Sequence, residues 1–120
     1  MSGDLINMDT VNSIKMIGQL RKKQDYFLKM LDLFTIQTDE TLKKLETAVQ
    51  SEDKVLIYRL SHKIKGGARS IGASDLSNKC LELETWALSE KNTPCHSNAY
   101  EFLNTIKSSY EKSKKLLLTL

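Results

Sequence analysis

Proline is nearly missing from this chain of 120 residues, which has one copy at Pro94, and glycine is scarce at five copies. A chain so poor in breakers turns in few places, which favours a handful of long helices over a loop-rich fold. Only two cysteines occur. Cys80 falls at helix-core spacing and Cys95 in or beside a turn, so reduced thiols in a cytoplasmic setting are expected rather than a disulfide. Cys95 and His96 are adjacent, point in different directions and lack zinc-ligand spacing, so no metal site is expected there, and His96 is read as a loop residue without a role. No apolar run approaches the ~18 residues of a membrane span, and Met1-Ser2-Gly3-Asp4 lacks the charged-then-apolar build of a secretory signal. A soluble chain without membrane insertion is the expectation. Charge of one sign is lacking too. Eighteen bases and fifteen acids are interspersed to a net +3, with no long basic block to favour nucleic acid. A glycine-rich phosphate loop, a Walker-type lysine and a cluster of metal-binding carboxylates are all missing, so the chain is expected neither to bind ATP nor to phosphorylate itself.

What is there is helical periodicity. No segment alternates as a strand does, and no repeat, low-complexity tract or linker interrupts the chain. Asp9 is placed to cap a first short helix with Val11, Ile14, Ile17 and Leu20 on its apolar side and Gly18 weakening its end. A long helix is predicted from about Gln24 to Gln50, carried by Phe27, Met30, Leu31, Phe34, Leu42, Leu45 and Val49. Threonines between Thr35 and Thr41 dilute that stripe and allow a bend. Ser51, followed by Glu52-Asp53, reads as the cap of a third helix running to about Ser70, and Gly72 ends it. Ser74 and Asp75 start a fourth, with Leu76, Cys80, Leu83 and Ala87 inward and Trp86 as a core or boundary anchor. Lys91-Asn92-Thr93-Pro94 is the last turn, and Phe102, Leu103, Ile106, Tyr110, Ser113 and Leu117 keep the period of a final helix. Apolar content of 40% is enough for the core of one domain, residues 1–120. The connections are short, so neighbours should run antiparallel: an all-α, up-and-down four-helix bundle with a short additional N-terminal helix.

The chemistry concentrates in the third helix, between Arg59 and Ala73. At 3.6 residues per turn, Val55, Tyr58, Arg59, His62, Lys65, Gly66 and Arg69 share one stripe, and Ile57, Leu60, Ile64, Ala68 and Ile71 lie towards another. His62 therefore faces away from the apolar side. A neutral imidazole is a nucleophile, and two lysines and two arginines around it attract an anion such as a phosphoryl group. Gly66, one turn on, costs a helix interior roughly 1 kcal/mol relative to alanine. Its simplest reason is that a side chain there would block approach to the ring.

His62-x-x-Lys65-Gly66, followed by Gly72-Ala73, Leu76, Cys80 and Leu83-Glu84, resembles the signature of the histidine-containing phosphotransfer (HPt) domains of phosphorelay signalling. The resemblance implies a four-helix bundle in which His62 accepts a phosphoryl group from a receiver-domain aspartyl phosphate and passes it to another receiver aspartate. It implies attack by Nε2, with Nδ1 held by a hydrogen bond. Glu84 matches a position where some members carry the residue that orients the ring, a solvated glutamate being the alternative, and Lys65 matches the family's lysine, placed for phosphoryl oxygens. Ser61 stands where a small apolar residue is common. Val55, Tyr58, Arg59 and Arg69 are candidates for docking a response-regulator receiver, with a plain surface tyrosine as the other reading of Tyr58. The chain itself needs no cofactor, since Mg²⁺ is expected in the receiver. A monomer is implied, in the cytoplasm, either free-standing or as the terminal module of a membrane-bound hybrid sensor kinase.

Two other classes stay open at this point. One is a non-phosphorylated bundle that docks on a receiver or kinase. The other is a hydrolase of phosphoester or phosphoramidate bonds, against which stands the lack of a second acid, base or metal group near His62.

Overall fold

A computed structural model describes residues 4–22, 25–89 and 95–120, with the side-chain environment of 95–98 left aside. Five helices follow in order: α1 (Met8–Leu20), α2 (Tyr26–Gln50), α3 (Lys54–Ile71), α4 (Ser74–Ala87) and α5 (Cys95–Leu118). Among the described residues there is no strand. Helices α2, α3, α4 and α5 close a ring in which each packs on the next and α5 returns to α2, while α1 lies against α2 and α3. The architecture is the antiparallel four-helix bundle with one additional N-terminal helix that the pattern predicts. No helix among the described residues is long and apolar enough to cross a membrane.

Several ends differ from expectation, each for a local reason. Asn7, not Asp9, caps α1: its backbone is extended (φ −90, ψ 102), and its Oδ1 accepts from the N–H groups of Asp9 and Thr10 at 3.0 and 3.3 Å. Asp9 instead sits in the first turn, where an acid favours the positive helix end. Val11, Ile14 and Gly18 form the buried face of α1, whereas Ile17 and Leu20 are exposed. Gly18 thus belongs to the packing surface rather than to a failing end.

Helix α2 runs through Thr35–Thr41 as one uninterrupted element. Thr41 returns its hydroxyl to the Gln37 carbonyl at 2.8 Å and is buried with Thr38, so these threonines extend the buried stripe instead of breaking it. Ser51 closes α2, its Oγ donating to the Thr47 carbonyl at 2.6 Å. Asp53 takes over as the cap of α3, accepting from the Leu56 N–H at 3.1 Å.

Gly72 ends α3 as predicted, in the left-handed conformation at φ 88. The N-terminal segment laces across this corner: the Asn7 N–H donates to the Gly72 carbonyl at 2.7 Å, the Asp75 N–H to the Leu5 carbonyl at 3.3 Å, and Ser74 Oγ to the Asp4 carbonyl at 3.1 Å. Ala73 therefore occupies the cap position of α4, and Ser74 spends its hydroxyl on the N-terminal segment. The predicted turn from Lys91 to Pro94 lies outside the described residues. His96, expected in a loop, falls in the first turn of α5, because that helix already begins at Cys95.

The core is the apolar side of all five elements, with Leu31, Leu45, Ile57, Ile71, Leu76, Leu83, Leu103 and Ile106 almost wholly enclosed. Tyr110 is buried as well and meets Phe34 edge-on at 5.9 Å between ring centroids. Its hydroxyl donates to Asp39 Oδ1 at 2.7 Å, and burial, followed by that carboxylate, raises its pKa far above the phenolic norm. Trp86 is half-buried between Phe102 and the ammonium of Lys54, which stands 4.9 Å over the indole. It is a boundary anchor. Cys80 is free and buried, and burial, with Glu84 adding to it, pushes its thiol up to about 12. A thiol held neutral in this way is a core filler with no nucleophilic use.

Candidate functional site

The site follows from which side of α3 is spent on the core. Ile57, Leu60, Ile64, Ala68 and Ile71 are buried against α2 and α4, so the residues between them are turned outwards. His62 lies at the middle of the helix with its side chain 61% exposed, while Glu84, on α4, has a side chain only 9% exposed. The two meet at 3.1 Å between Nδ1 and Oε1. Lys65, one turn along α3, reaches the other oxygen of the same carboxylate at 2.8 Å. One buried glutamate is thus shared by a histidine and a lysine.

Burial alone would raise the Glu84 carboxyl. Hydrogen bonds from Lys65 and His62, together with the charges of those groups, outweigh burial and hold it below its ordinary value. The carboxylate is ionised at neutral pH and offers only acceptors, so the neutral imidazole that bonds to it carries its proton on Nδ1. That choice leaves the lone pair on Nε2. Among the described residues Nε2 has no hydrogen-bond partner.

Tyr58, one turn upstream, stacks near the imidazole with ring planes 23° apart and centroids at 6.0 Å. The downstream side is open. A Cβ added at Gly66 would meet nothing within 4 Å, whereas one at the neighbouring Gly67 would come to 3.7 Å from Phe34. Gly67 was not singled out by the sequence, and it is the one that lies against the α2–α3 seam. Val55 is 63% exposed, and Arg59, Lys63 and Arg69 are exposed with no ion pair among the described residues. Val55, Tyr58, Arg59, His62, Gly66 and Arg69 therefore all lie on the outward stripe or at its edge.

Two features were not read from the sequence. The first is that Lys65 and Glu84, treated there as separate aids, are partners of each other, so the lysine's charge acts on the carboxylate. The signal was available in part, since His62 and Lys65 are one turn apart on α3 and both face α4. Which acid on α4 stands opposite them is a matter of helix packing. The second is a groove between α2 and α3, of about 210 Å³, lined by Met30, Leu33, Phe34, Ile64 and Gly67 with Lys63 at its edge. Nothing in the periodicity of either helix alone marks it. Among the described residues no group of three His, Cys, Asp or Glu side chains is placed to hold a metal ion.

Comparison with known proteins bears on this arrangement at two levels. The sequence matches the Hpt domain family over residues 29–114, which spans α3 and α4 entirely. No curated sequence relative matches the chain. Histidine-containing phosphotransfer protein B (HptB) of Pseudomonas aeruginosa PAO1 has a similar structure, with a TM-score of 0.83 at 22% identity over 98% of this chain and 95% of that one. A rice protein described as a histidine-containing phosphotransfer protein gives a TM-score of 0.81 at 13% identity, over 99% of this chain and 82% of its own. At such identities the two structures speak for the fold.

Proposed function

The chain belongs to the Hpt domain family and is a phosphorelay intermediate, and from that premise we propose that His62 carries the phosphoryl group. The observation that carries this reading is the exposed ring with Nδ1 held by Glu84 and Nε2 free. The Nε2 lone pair attacks the phosphorus of an aspartyl phosphate on a receiver domain. As the N–P bond forms, the P–O bond to the aspartyl carboxylate breaks, and that carboxylate leaves with the electron pair through a loose, in-line transition state. The proton on Nδ1 stays, and the positive charge that develops on the ring is met by Glu84. Transfer to a second receiver is the same sequence reversed.

Lys65 supports this by keeping Glu84 ionised in a place where burial would otherwise favour the acid. Gly66 leaves the approach to the ring clear. Val55, Tyr58, Arg59 and Arg69, on the same outward side of α3 as the ring, form the docking surface, with the arginines steering an acidic receiver. Mg²⁺ belongs in this reading to the receiver's own acidic pocket, and the chain acts as a cytoplasmic monomer that binds no nucleic acid.

The test is incubation with a phosphorylated receiver and a search for acid-labile, alkali-stable label, with His62→Gln as control. Label on the wild type alone is expected. No label on either protein would leave a silent docking module, and rapid loss to free phosphate would indicate a hydrolase.

A further inference from the structure

Helix α1 stops, α2 begins and α5 closes at one end of the bundle, where Gly18, Lys22, Phe27, Leu28, Leu118 and Leu120 line a single open depression. Leucine is what this end shows to solvent. Leu20 is 77% exposed, Leu28 51% and Leu118 61%, and Leu120 is exposed as well. The core takes Val11, Ile14 and Gly18 from α1, and at 3.6 residues per turn Met16 and Leu20 fall on the opposite side with Ile17 next to them, all three exposed. Over its last two turns α1 is therefore apolar on two sides, and the bundle answers only one.

Cations stand around these leucines. Arg21 and Lys22 follow Leu20, Lys29 follows Leu28, and Lys115 lies one turn before Leu118; all four are exposed, with no ion pair among the described residues. Lys15 is spent locally, donating to the Leu120 carbonyl at 2.6 Å. Of the acids nearby, Asp25 and Asp32 are exposed, and Glu111 is paired with Lys114 at 3.4 Å. The local balance is positive.

We propose that this end of the bundle rests on an anionic lipid surface, its leucines entering the headgroup layer and its four cations meeting lipid phosphates. Charge decides the occupant. A second copy docked through the same face would bring two cationic rims together, at a cost, whereas a negatively charged lipid surface answers the apolar tips and the cations at once. No helix among the described residues crosses the bilayer in this arrangement. The imidazole also stays clear of it. Gly67 on α3 faces Phe34 on α2, and from that level His62 is five residues one way and Leu28 six the other, roughly 16 Å apart along the bundle at 1.5 Å per residue.

The test mixes the whole chain with vesicles of phosphatidylcholine alone, or with about 30% phosphatidylserine, and measures the fraction that sediments with lipid at about 50 and about 500 mM salt. Saturable binding to the anionic vesicles only is expected, weakened about tenfold or more at the higher salt. Leu20→Gln combined with Leu118→Gln should weaken binding about tenfold, and Arg21→Glu combined with Lys22→Glu by at least as much. Because these side chains are exposed, melting temperature and phosphoryl transfer to His62 in solution should be unchanged. A lipid-borne paramagnetic label should broaden the amides of Leu20, Leu28 and Leu118 and spare His62. Equal binding to neutral vesicles, wild-type binding by the leucine variant, or broadening centred elsewhere on the chain would overturn the proposal. Self-association that the leucine substitutions abolish would overturn it too, by making a second copy the occupant. Transfer is assayed without lipid, so failure here leaves the reading of His62 standing, and the converse holds.

Discussion

Glu84 is the residue on which the site's chemistry turns, because it decides which ring nitrogen holds the proton. Replacing it by glutamine keeps an acceptor for Nδ1–H but removes the charge that answers the developing imidazolium. Transfer by Glu84→Gln should fall by roughly 10–100-fold, measured as the rate of label transfer from a saturating phosphorylated receiver. Lys65→Ala should cost less than that, since it acts through the same carboxylate, and a loss equal to that of His62→Gln would overturn this account. The depressed carboxyl also has a consequence for stability. A group whose pKa is lower in the folded than in the unfolded chain contributes stability above its unfolded value, and that contribution is lost as pH falls through the folded value. Acid melting of the wild type should therefore steepen below about pH 4 relative to Glu84→Gln. His62, Lys65, Gly66 and Glu84 were all legible in the sequence, the first three from one helical stripe and the last from the family pattern. Their wiring was not. Spacing along α3 says which side chains are neighbours on that helix, whereas the salt bridge from Lys65 depends on the rotation of α4 against it.

At the level of elements, Gly66 within α3 and Gly72 at its C-terminal cap make opposite predictions. Gly66 lies mid-helix in open surroundings, so an added methyl relieves the entropy cost of glycine and meets no neighbour. Gly66→Ala should raise the unfolding free energy by about 0.5–1 kcal/mol, measured by urea denaturation. Gly66→Glu should stay folded yet transfer slowly, because bulk and like charge then stand beside the incoming phosphoryl group. Gly72 is different. Its φ of 88 disfavours any L side chain, and a Cβ there would come to 2.9 Å from the Asn7 carbonyl. Gly72→Ala should destabilise by about 2 kcal/mol or more, with the N-terminal segment and α1 loosening first, seen as faster hydrogen exchange at Asn7 and Asp75. The stop at Gly72 could be read from sequence because a glycine after an apolar stripe has few other meanings. Starts were harder. Asn7 against Asp9, and Asp53 against Ser51, are pairs of good caps two residues apart, and the choice depends on backbone angles that the composition does not fix. The threonines of α2 misled for a related reason: a buried threonine that bonds back to its own helix looks, in a hydropathy pattern, like a break in the stripe.

For the molecule as a whole, the ring of four helices turns most of its apolar surface inward and leaves α3 with a cationic face. Arg59 and Arg69 flank His62, Lys63 borders the α2–α3 groove, and Lys65 is neutralised by Glu84. On the proposed reading the steering field therefore comes from Arg59, Lys63 and Arg69, which have no ion pair among the described residues, and not from Lys65. An encounter steered in this way depends on ionic strength, because charges more than about 8–10 Å apart are screened at physiological salt. Arg59→Glu should lower the second-order rate of phosphoryl transfer by roughly tenfold at low salt while leaving the first-order rate within the complex nearly unchanged. Raising salt from about 50 to about 500 mM should slow the wild type and narrow its gap to the variant, since it removes the attraction in one and the repulsion in the other. Rapid-mixing measurements over a range of receiver concentrations separate the two rates. An equal loss in both would mean that Arg59 acts on the ring or on the fold, and a gap that persists at high salt would mean that it makes a close, desolvated contact with the receiver.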